Sequence, residues 1–459
     1  MHAMTASPDE QALAVLTDEL RQSGHAWRSV AQPLALACHA RRGPYLYASD
    51  DTGRAEAYLA AWLKVRLDQP CTPADLAPGH GLNDGQQRAA EMLLGAPVGC
   101  LSGLPGTGKT YTARAIAQAY AAAGCTVGGC AFTGAAASRL SESTGLQCST
   151  IHRLLGFDGS EFTKDVPFQV LLVDEASMLS NGLGLALCSR LPKGGRVIFI
   201  GDPNQLYGTE PGRLFDALCE ICPHAHLSEV MRQEADSPIG LAAAAVLAGK
   251  LPETMASPTG KGGFMYLTCD RLAISGERAP GQRERNHPLT VAERFAELEG
   301  VPMWQVRTMA TSNRVVDVLN LHFERYRRDS LTPTPFMCVK NCADEGVFNG
   351  DIGLKVWSDR RGVLLQMPDG RRVRLPAGIV RSAWATTVHK AQGREATAAQ
   401  MYVEGCSERR ALYTAITRAK SRFALVASLD NLTKALNNVG VPRFSLLSAL
   451  YRGEAQFIE

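Results

Sequence analysis

Residues Gly103–Thr110 read Gly-Leu-Pro-Gly-Thr-Gly-Lys-Thr, which fits the spacing G-x-x-x-x-G-K-T. Glycines at this spacing let backbone N–H groups wrap phosphate oxygens, and a helix that starts at the lysine adds partial positive charge. The cradle comprises Gly103, Pro105, Gly106, Thr107, Gly108, Lys109 and Thr110. In it the Lys109 ammonium would neutralise β/γ oxygens and the Thr110 hydroxyl would ligate Mg²⁺. Further on, Asp174 ends the apolar run Leu171-Leu172-Val173 and Glu175 follows it. A carboxylate at a buried strand end can hold the Mg²⁺ shell, and its neighbour can polarise an attacking water. A surface Asp-Glu pair is the ordinary alternative, but the position at the end of an apolar run after a phosphate loop argues against it. The chemistry implied is binding and hydrolysis of a nucleoside triphosphate, ATP, with Mg²⁺.

A third piece, Gly201-Asp202-Pro203-Asn204-Gln205, also follows an apolar run. Gln205 there is either a γ-phosphate sensor or part of an ordinary strand-to-turn exit.

These groups need strands and helices to bring them together. Cys100–Ser102 precedes the phosphate loop as a strand and Tyr111–Ala123 follows it as a helix. Val127–Phe132, Val170–Val173 and Val197–Ile200 are short β-rich runs bounded by Gly, Asp or Pro. That alternation predicts a parallel sheet with crossover helices. A second α/β series starts near Leu227, with strands over Val306–Thr311, Ala398–Val403 and Arg422–Ser428. Inside it, residues 336–376 carry β-like runs and the turn signals Asn349-Gly350-Asp351 and Asp369-Gly370, the pattern of a small β module. Residues 9–69 are helix-patterned, including Leu13, Leu16 and Leu20 and later Leu59, Trp62 and Leu63, with Tyr45-Leu46-Tyr47 as a short strand between. The Pro/Gly-rich stretch Pro70 to Gly81 reads as a linker.

With 459 residues, 45% hydrophobic and 20% charged, the chain is expected to be globular and to form two or three domains. A net charge of +3 permits nucleic-acid binding without arguing for it. Thirteen cysteines follow no framework spacing, and no start segment reads as a secretory signal, so a reduced, cytoplasmic protein is expected. No membrane span is expected; the longest apolar run, Ile239–Gly249, is Ala-rich and reads as a buried helix. Cys219, Cys222, His224 and His226 have superficial zinc spacing, which is set aside because the segment lies at a helix end.

The order of motifs resembles a family. Gly103–Thr110, Thr133–Leu140 (TGAAASRL), Ser149–Gly156 (STIHRLLG), Val173–Met178 (VDEASM) and Gly201–Leu206 (GDPNQL) follow the order of superfamily 1 helicases. Phe348–Gly353 (FNGDIG), Thr386–Glu395 (TTVHKAQGRE) and Tyr413–Lys420 (YTAITRAK) narrow the resemblance to group B, the RecD-like group that includes phage Dda helicase. The resemblance spans roughly Leu82 to Ser428. It implies an α/β fold of two tandem RecA-like P-loop NTPase lobes, with a small helical N-terminal domain and a small SH3-like β insert in the second lobe. The expected boundaries are 1–80 for the accessory domain, 81–226 for the first lobe, 227–335 with 377–459 for the second, and 336–376 for the insert. Residues 157–169 are a strand-separating pin by resemblance, or a plain connecting loop.

By the same resemblance Gln86 recognises adenine, with Gln87 as competitor, and Gly393 and Glu395 lie near the ribose and the cleft. Arg232 and Arg418 reach the γ-phosphate from the second lobe. A translocase must grip the sugar-phosphate chain without reading sequence, a task suited to hydroxyls, histidines and backbone N–H groups. Thr133-Gly134, Thr150 with His152, Thr311 with Asn313, and Thr387 with His389 line the strand in the resembling family. Phe132 stands where the family carries a proline, as a stacking surface or as core packing, and Ala135 replaces a common lysine. Arg360, Arg361, Arg371, Arg372 and Arg374 in the insert either help enclose the strand or decorate solvated turns.

The expected function is an ATP-dependent DNA helicase tracking on single-stranded DNA, 5′-to-3′ by resemblance and engaging a fork. The alternatives are a motor subunit of a larger nuclease-helicase complex and a nucleotide-dependent binding switch without unwinding. A protein partner would use residues 1–80 or the C-terminal segment.

Overall fold

The computed structural model describes residues 39–42, 45–48, 50–210, 212–229, 237–256, 262–269, 286–326, 333–340, 342, 345–440 and 447–453. Arg232 and the patterned stretch around Leu13, Leu16 and Leu20 lie outside them. The described residues fall into two units. The first is drawn from Met1–Pro203, Tyr207–Arg232 and Pro442–Glu459, and the second from Asn204–Leu206 and Gln233–Val441.

A hairpin of β1 (His39–Arg42) and β2 (Tyr45–Ala48) precedes the first unit's main sheet. That sheet has six strands: β3 (Val98–Gly103), β4 (Val127–Ala131), β5 (Cys148–Thr150), β6 (Val170–Asp174), β7 (Arg196–Gly201) and β8 (His224–Leu227). Their order is β5-β4-β6-β7-β3-β8 and every pairing is parallel. Helices cover both faces, so the central strands read as unbroken apolar runs. Leu171, Val173 and Phe199 enter one core, while Leu172, Ile198 and Ile200 enter the other.

The helix Asp50–Leu67 shows how an accessory element joins this unit. Its stripe of Leu59, Trp62 and Leu63 sits in the same core as Leu171 and Phe199. Burial of each such side chain stabilises by about 1.5–3 kcal/mol. Glu56 accepts from Asn181 Nδ2 at 2.8 Å, and Arg66 donates to the carbonyls of Pro192 and Gly195 at 3.0 and 2.6 Å. Residues 50–67, expected within a separate 1–80 domain, therefore share the first unit's core because their apolar stripe covers its sheet. The C-terminal helix Leu447–Arg452 packs there too, with Leu447 fully buried, although it was assigned to the second lobe.

The second unit contains β9 (Met255–Ala256), β10 (Gly263–Thr268) and β11 (Arg307–Ala310). An excursion then supplies β12 (Thr334–Cys338), β13 (Ile352–Asp359), β14 (Gly362–Gln366), β15 (Arg372–Leu375) and β16 (Val380–Ser382). The chain returns through β17 (Ala385–Thr387), β18 (Ala396–Tyr402) and β19 (Ala419–Ala427). The main sheet runs β17-β11-β18-β19-β10-β9, parallel except for β9. The excursion is a five-stranded antiparallel sheet, β15-β14-β13-β12-β16, with its own core of Val363, Leu365, Val373 and Leu375. Its strands reach from Thr334 to Ser382, beyond the expected 336–376, because β12 and β16 pair at its base. No described helix is long and apolar enough to cross a membrane.

Candidate nucleotide site and nucleic-acid interface

Because the first sheet is parallel, the C-terminal ends of β3, β4, β6 and β7 share one edge, where ligands of open α/β sheets bind. The phosphate loop leaves β3 there. Gly108, at φ 83°, caps the helix Lys109–Ala122 in the left-handed region, and that helix starts without a side-chain cap. Its first N–H groups therefore need a partner from outside the helix, which a phosphate can supply. A Cβ on Gly103 would meet Thr107 Oγ1 at 2.6 Å and the Leu227 carbonyl at 2.7 Å, so the loop closes only on glycine.

Lys109 Nζ donates to the Gly103 and Leu104 carbonyls at 2.7 and 2.9 Å. Burial lowers its pKa, opposed by the charges of Asp202, Glu175 and Asp174 and reinforced by Arg139. Asp202 leads the favourable neighbours, a role the motif reading missed. Its signal was in the sequence: a second carboxylate at the end of an apolar strand, as with Asp174.

Asp174 ends β6, and both it and Glu175 are buried. Glu175 has φ 52°, the one non-glycine positive φ among the described residues. Such a backbone costs about 1–3 kcal/mol and collects at working sites. The Glu175 N–H donates to Asp174 Oδ1 at 2.9 Å. Burial and the Glu175 charge raise the Asp174 pKa, while Arg139 pulls it down. Arg139 Nη2 lies 3.1 Å from Glu175 Oε1 and 3.5 Å from Asp174 Oδ2. This arginine, inside TGAAASRL, also went unassigned in the sequence; only the helix beneath it reveals its reach.

Gln86 and Gln87 separate clearly. Gln86 is buried, accepts from the Asn83 N–H at 3.2 Å and donates through Nε2 to the Thr107 carbonyl at 3.2 Å. Gln87 Nε2 instead donates to Glu91 on the exposed side of the same helix.

The GDPNQL segment divides. Asp202 stays with the first unit, whereas Asn204–Leu206 belong to the second. There the Gln205 carbonyl accepts from Arg410 at 3.2 Å, and the Leu206 N–H and carbonyl pair with Thr414 Oγ1 and Gln392 Nε2, both at 2.9 Å. Gln205 was expected in the first lobe; these three bonds hold the Gln205–Leu206 backbone in the second unit. Arg418 is buried, with Nε donating to the Thr414 carbonyl at 3.2 Å. Gly393 is left-handed at φ 73°, and Glu395 pairs with Lys420 at 3.3 Å. Arg394 joins two motifs by donating to the Gly350 carbonyl of FNGDIG at 2.6 Å.

The strand-facing candidates repeat one local design. Thr150 and Thr387 end strands, Thr133 lies two residues past β4, and each N-caps a helix, accepting from the N–H of Arg153, Lys390 and Ala136 respectively. In two of them a histidine follows in the first turn: Thr150-Ile151-His152 and Thr387-Val388-His389. His152 lies among aromatics, with ring centroids 6.3 Å from Phe132, 5.4 Å from Phe157 and 5.9 Å from Phe162. Burial lowers its pKa, so the ring is neutral near pH 7. Phe132 is thus part of this cluster. Phe157 and Phe162 are joined across the Asp158-Gly159 turn by an antiparallel bridge, making residues 157–162 a short ordered loop. Thr311 donates to Glu404 Oε2 at 3.0 Å, which places a carboxylate at this loop beside Asn313, the first residue of the helix Asn313–Tyr326.

The zinc-spaced residues make protein contacts. Ser102 Oγ lies 2.6 Å from His224 Nε2 and 2.8 Å from His226 Nδ1. Among the described residues no group of three or more His, Cys, Asp or Glu is placed to hold a metal.

The family described as AAA domain matches residues 81–263, and the UvrD-like helicase C-terminal domain matches 382–426. The ATP-dependent RecD2 DNA helicase of Deinococcus radiodurans is 32% identical over 403 residues, covering 81% of this chain and 53% of that protein. In motif order and in these matches the chain is similar to the RecD-like group of superfamily 1 helicases. This RecD-like chain spans about half the length of the Deinococcus relative. The RecBCD enzyme subunit RecD of Mycobacterium tuberculosis is 27% identical, covering 77% of this chain and 70% of that one. Among solved structures, Pif1 helicase from Candida albicans has 16% identity and a TM-score of 0.48, covering 81% of this chain and 98% of that one.

Proposed function

We propose that this RecD-like chain is an ATP-dependent DNA helicase that tracks on single-stranded DNA, 5′-to-3′, and separates strands at a fork. The observation that carries the reading is the shared sheet edge holding Lys109, the Asp174–Glu175 pair and Asp202 in a chain with RecD-like motifs in order. Lys109 and the uncapped helix N-terminus hold the triphosphate, Gln86 meets the adenine and Glu175 orients and deprotonates the attacking water. Thr110 and Asp174 would hold Mg²⁺. One hydroxyl and one carboxylate suit this cation, which takes few protein ligands and completes its shell with phosphate oxygens and water. When bound, it neutralises charge on the β and γ oxygens. Arg232 and Arg418 act on the γ-phosphate, an arginine contribution of about 10³–10⁵ in rate. Thr133, Gly134, Thr150, His152, Asn313, Thr387 and His389 contact the strand, with Thr311 oriented by Glu404.

The antiparallel excursion serves as the SH3-like module that helps enclose the strand, and the Phe157–Phe162 loop serves as the pin. Opening a base-pair step costs only about 1.4 kcal/mol, so a short ordered wedge is enough. A protein partner would use residues 1–80 or the C-terminal segment. A second reading, a motor subunit of a nuclease-helicase complex, is favoured by the likeness to RecD subunits; stable co-purification with a larger partner would support it.

The test is ATP turnover with and without single-stranded DNA, compared with RNA, in wild type and Lys109→Ala. DNA-stimulated turnover that falls by at least about 10²–10³-fold in the variant is expected. Turnover indifferent to DNA would contradict the motor reading.

A further inference from the structure

Arg139 is the feature the proposed mechanism leaves unused. It lies on the helix Gly134–Thr144, whose N-cap is Thr133 and whose first residue is Gly134. Those two residues are candidate strand contacts. Five residues on, about 7.5 Å along the axis, the guanidinium bridges Glu175 at 3.1 Å and Asp174 at 3.5 Å. Ala136, Ala137 and Leu140 bury the helix's inner face, so its N-terminus and Arg139 move as one body. The arginine side chain is about a third exposed, at 31%, whereas both carboxylates are at 7%, so the guanidinium is the partner open to solvent.

We infer that Arg139 is a positioning residue that couples strand binding to the catalytic carboxylates. In the arrangement seen, its charge is shared by Glu175 and Asp174. While the guanidinium holds them, the Glu175 and Asp174 oxygens are less available to a water or to a cation, because Arg139 and the cation compete for the same carboxylates. Glu175, whose backbone is left-handed at φ 52°, is the carboxylate nearer to Arg139. Contact of a nucleic-acid backbone with Thr133 and Gly134 shifts the helix and draws Arg139 off Glu175, freeing the base only when a strand is bound. The inference rests on the helicase reading and specifies how its DNA dependence arises.

The experiment compares wild type, Arg139→Ala and Arg139→Lys by two readouts. The first is ATP turnover with and without single-stranded DNA. The second is binding of a fluorescent, non-hydrolysable ATP analogue across a Mg²⁺ titration, again with and without DNA. In Arg139→Ala, DNA-free turnover should rise and the stimulation ratio should fall by about tenfold, within the usual range for coupled sites. The Mg²⁺ midpoint without DNA should fall to the value wild type shows with DNA, while Arg139→Lys stays near wild type. A variant with unchanged ratio and midpoints, beside a DNA-stimulated wild type, overturns the coupling alone. Loss of turnover in the alanine variant with and without DNA in parallel also overturns it. A wild type that binds nucleotide but ignores DNA overturns both this inference and the helicase reading.

Discussion

The Gln86 side-chain amide donates to the Thr107 carbonyl at 3.2 Å, joining the helix Asp84–Leu94 directly to the phosphate loop. The same side chain closes a capping box with Asn83, so it is fixed at both ends. A base reader held this way is pre-organised beside the triphosphate. Gln86→Ala should raise the KM for ATP by about tenfold, the order of one or two lost hydrogen bonds, and should erase preference for ATP over GTP. Gln87→Ala should change neither. Steady-state turnover with both nucleotides checks this; equal effects from the two substitutions would remove Gln86 from the role.

The cysteine and histidine group behind β3 yields a pH prediction. A hydrogen bond from Cys100, helped by His224 and opposed by burial, lowers the Cys219 pKa to about 6. Burial instead pushes Cys148 up to about 11 and Cys188 to about 12. The thiolate is the nucleophile, so iodoacetamide labelling of Cys219 should rise through pH about 6 and level off near neutrality. Cys148 and Cys188 should label slowly throughout. Mass spectrometry of quenched samples reads this directly, and Cys219 labelling no faster than Cys148 at pH 7 would refute it.

Much of this site was legible in the sequence because phosphate chemistry imposes local spacing. Gly103–Thr110, Asp174 and the helix-capping threonines are each set by a few adjacent residues, and the ends of the expected strands fall within three residues of those observed. What stayed hidden depends on separation. Arg139 and Glu175 are 36 positions apart, and only the parallel pairing of β4 with β6 brings their neighbourhoods together. Gln205 follows a first-unit strand yet packs with the second unit through partners about 200 positions away. The helix Asp50–Leu67 showed its apolar stripe, but a stripe does not say which sheet it covers.

That helix gives a stability prediction. Trp62 is 7% exposed in the first unit's core, and Arg66 stacks over its ring at 5.7 Å. Trp62→Ala should destabilise the first unit by about 3–5 kcal/mol. Thermal unfolding should show the loss in the transition that nucleotide binding protects. A variant that melts like wild type would mean that residues 50–67 are dispensable for that core.

ATP chemistry at the first sheet's edge is proposed to drive strand separation. The most direct measurement is ATP-dependent unwinding of a labelled forked duplex carrying either a 5′ or a 3′ single-stranded tail, with Lys109→Ala alongside. Wild type should separate the 5′-tailed substrate and little of the 3′-tailed one, and the variant should separate neither. Separation that persists in Lys109→Ala, or a wild type that hydrolyses ATP on DNA yet opens neither substrate, would contradict it.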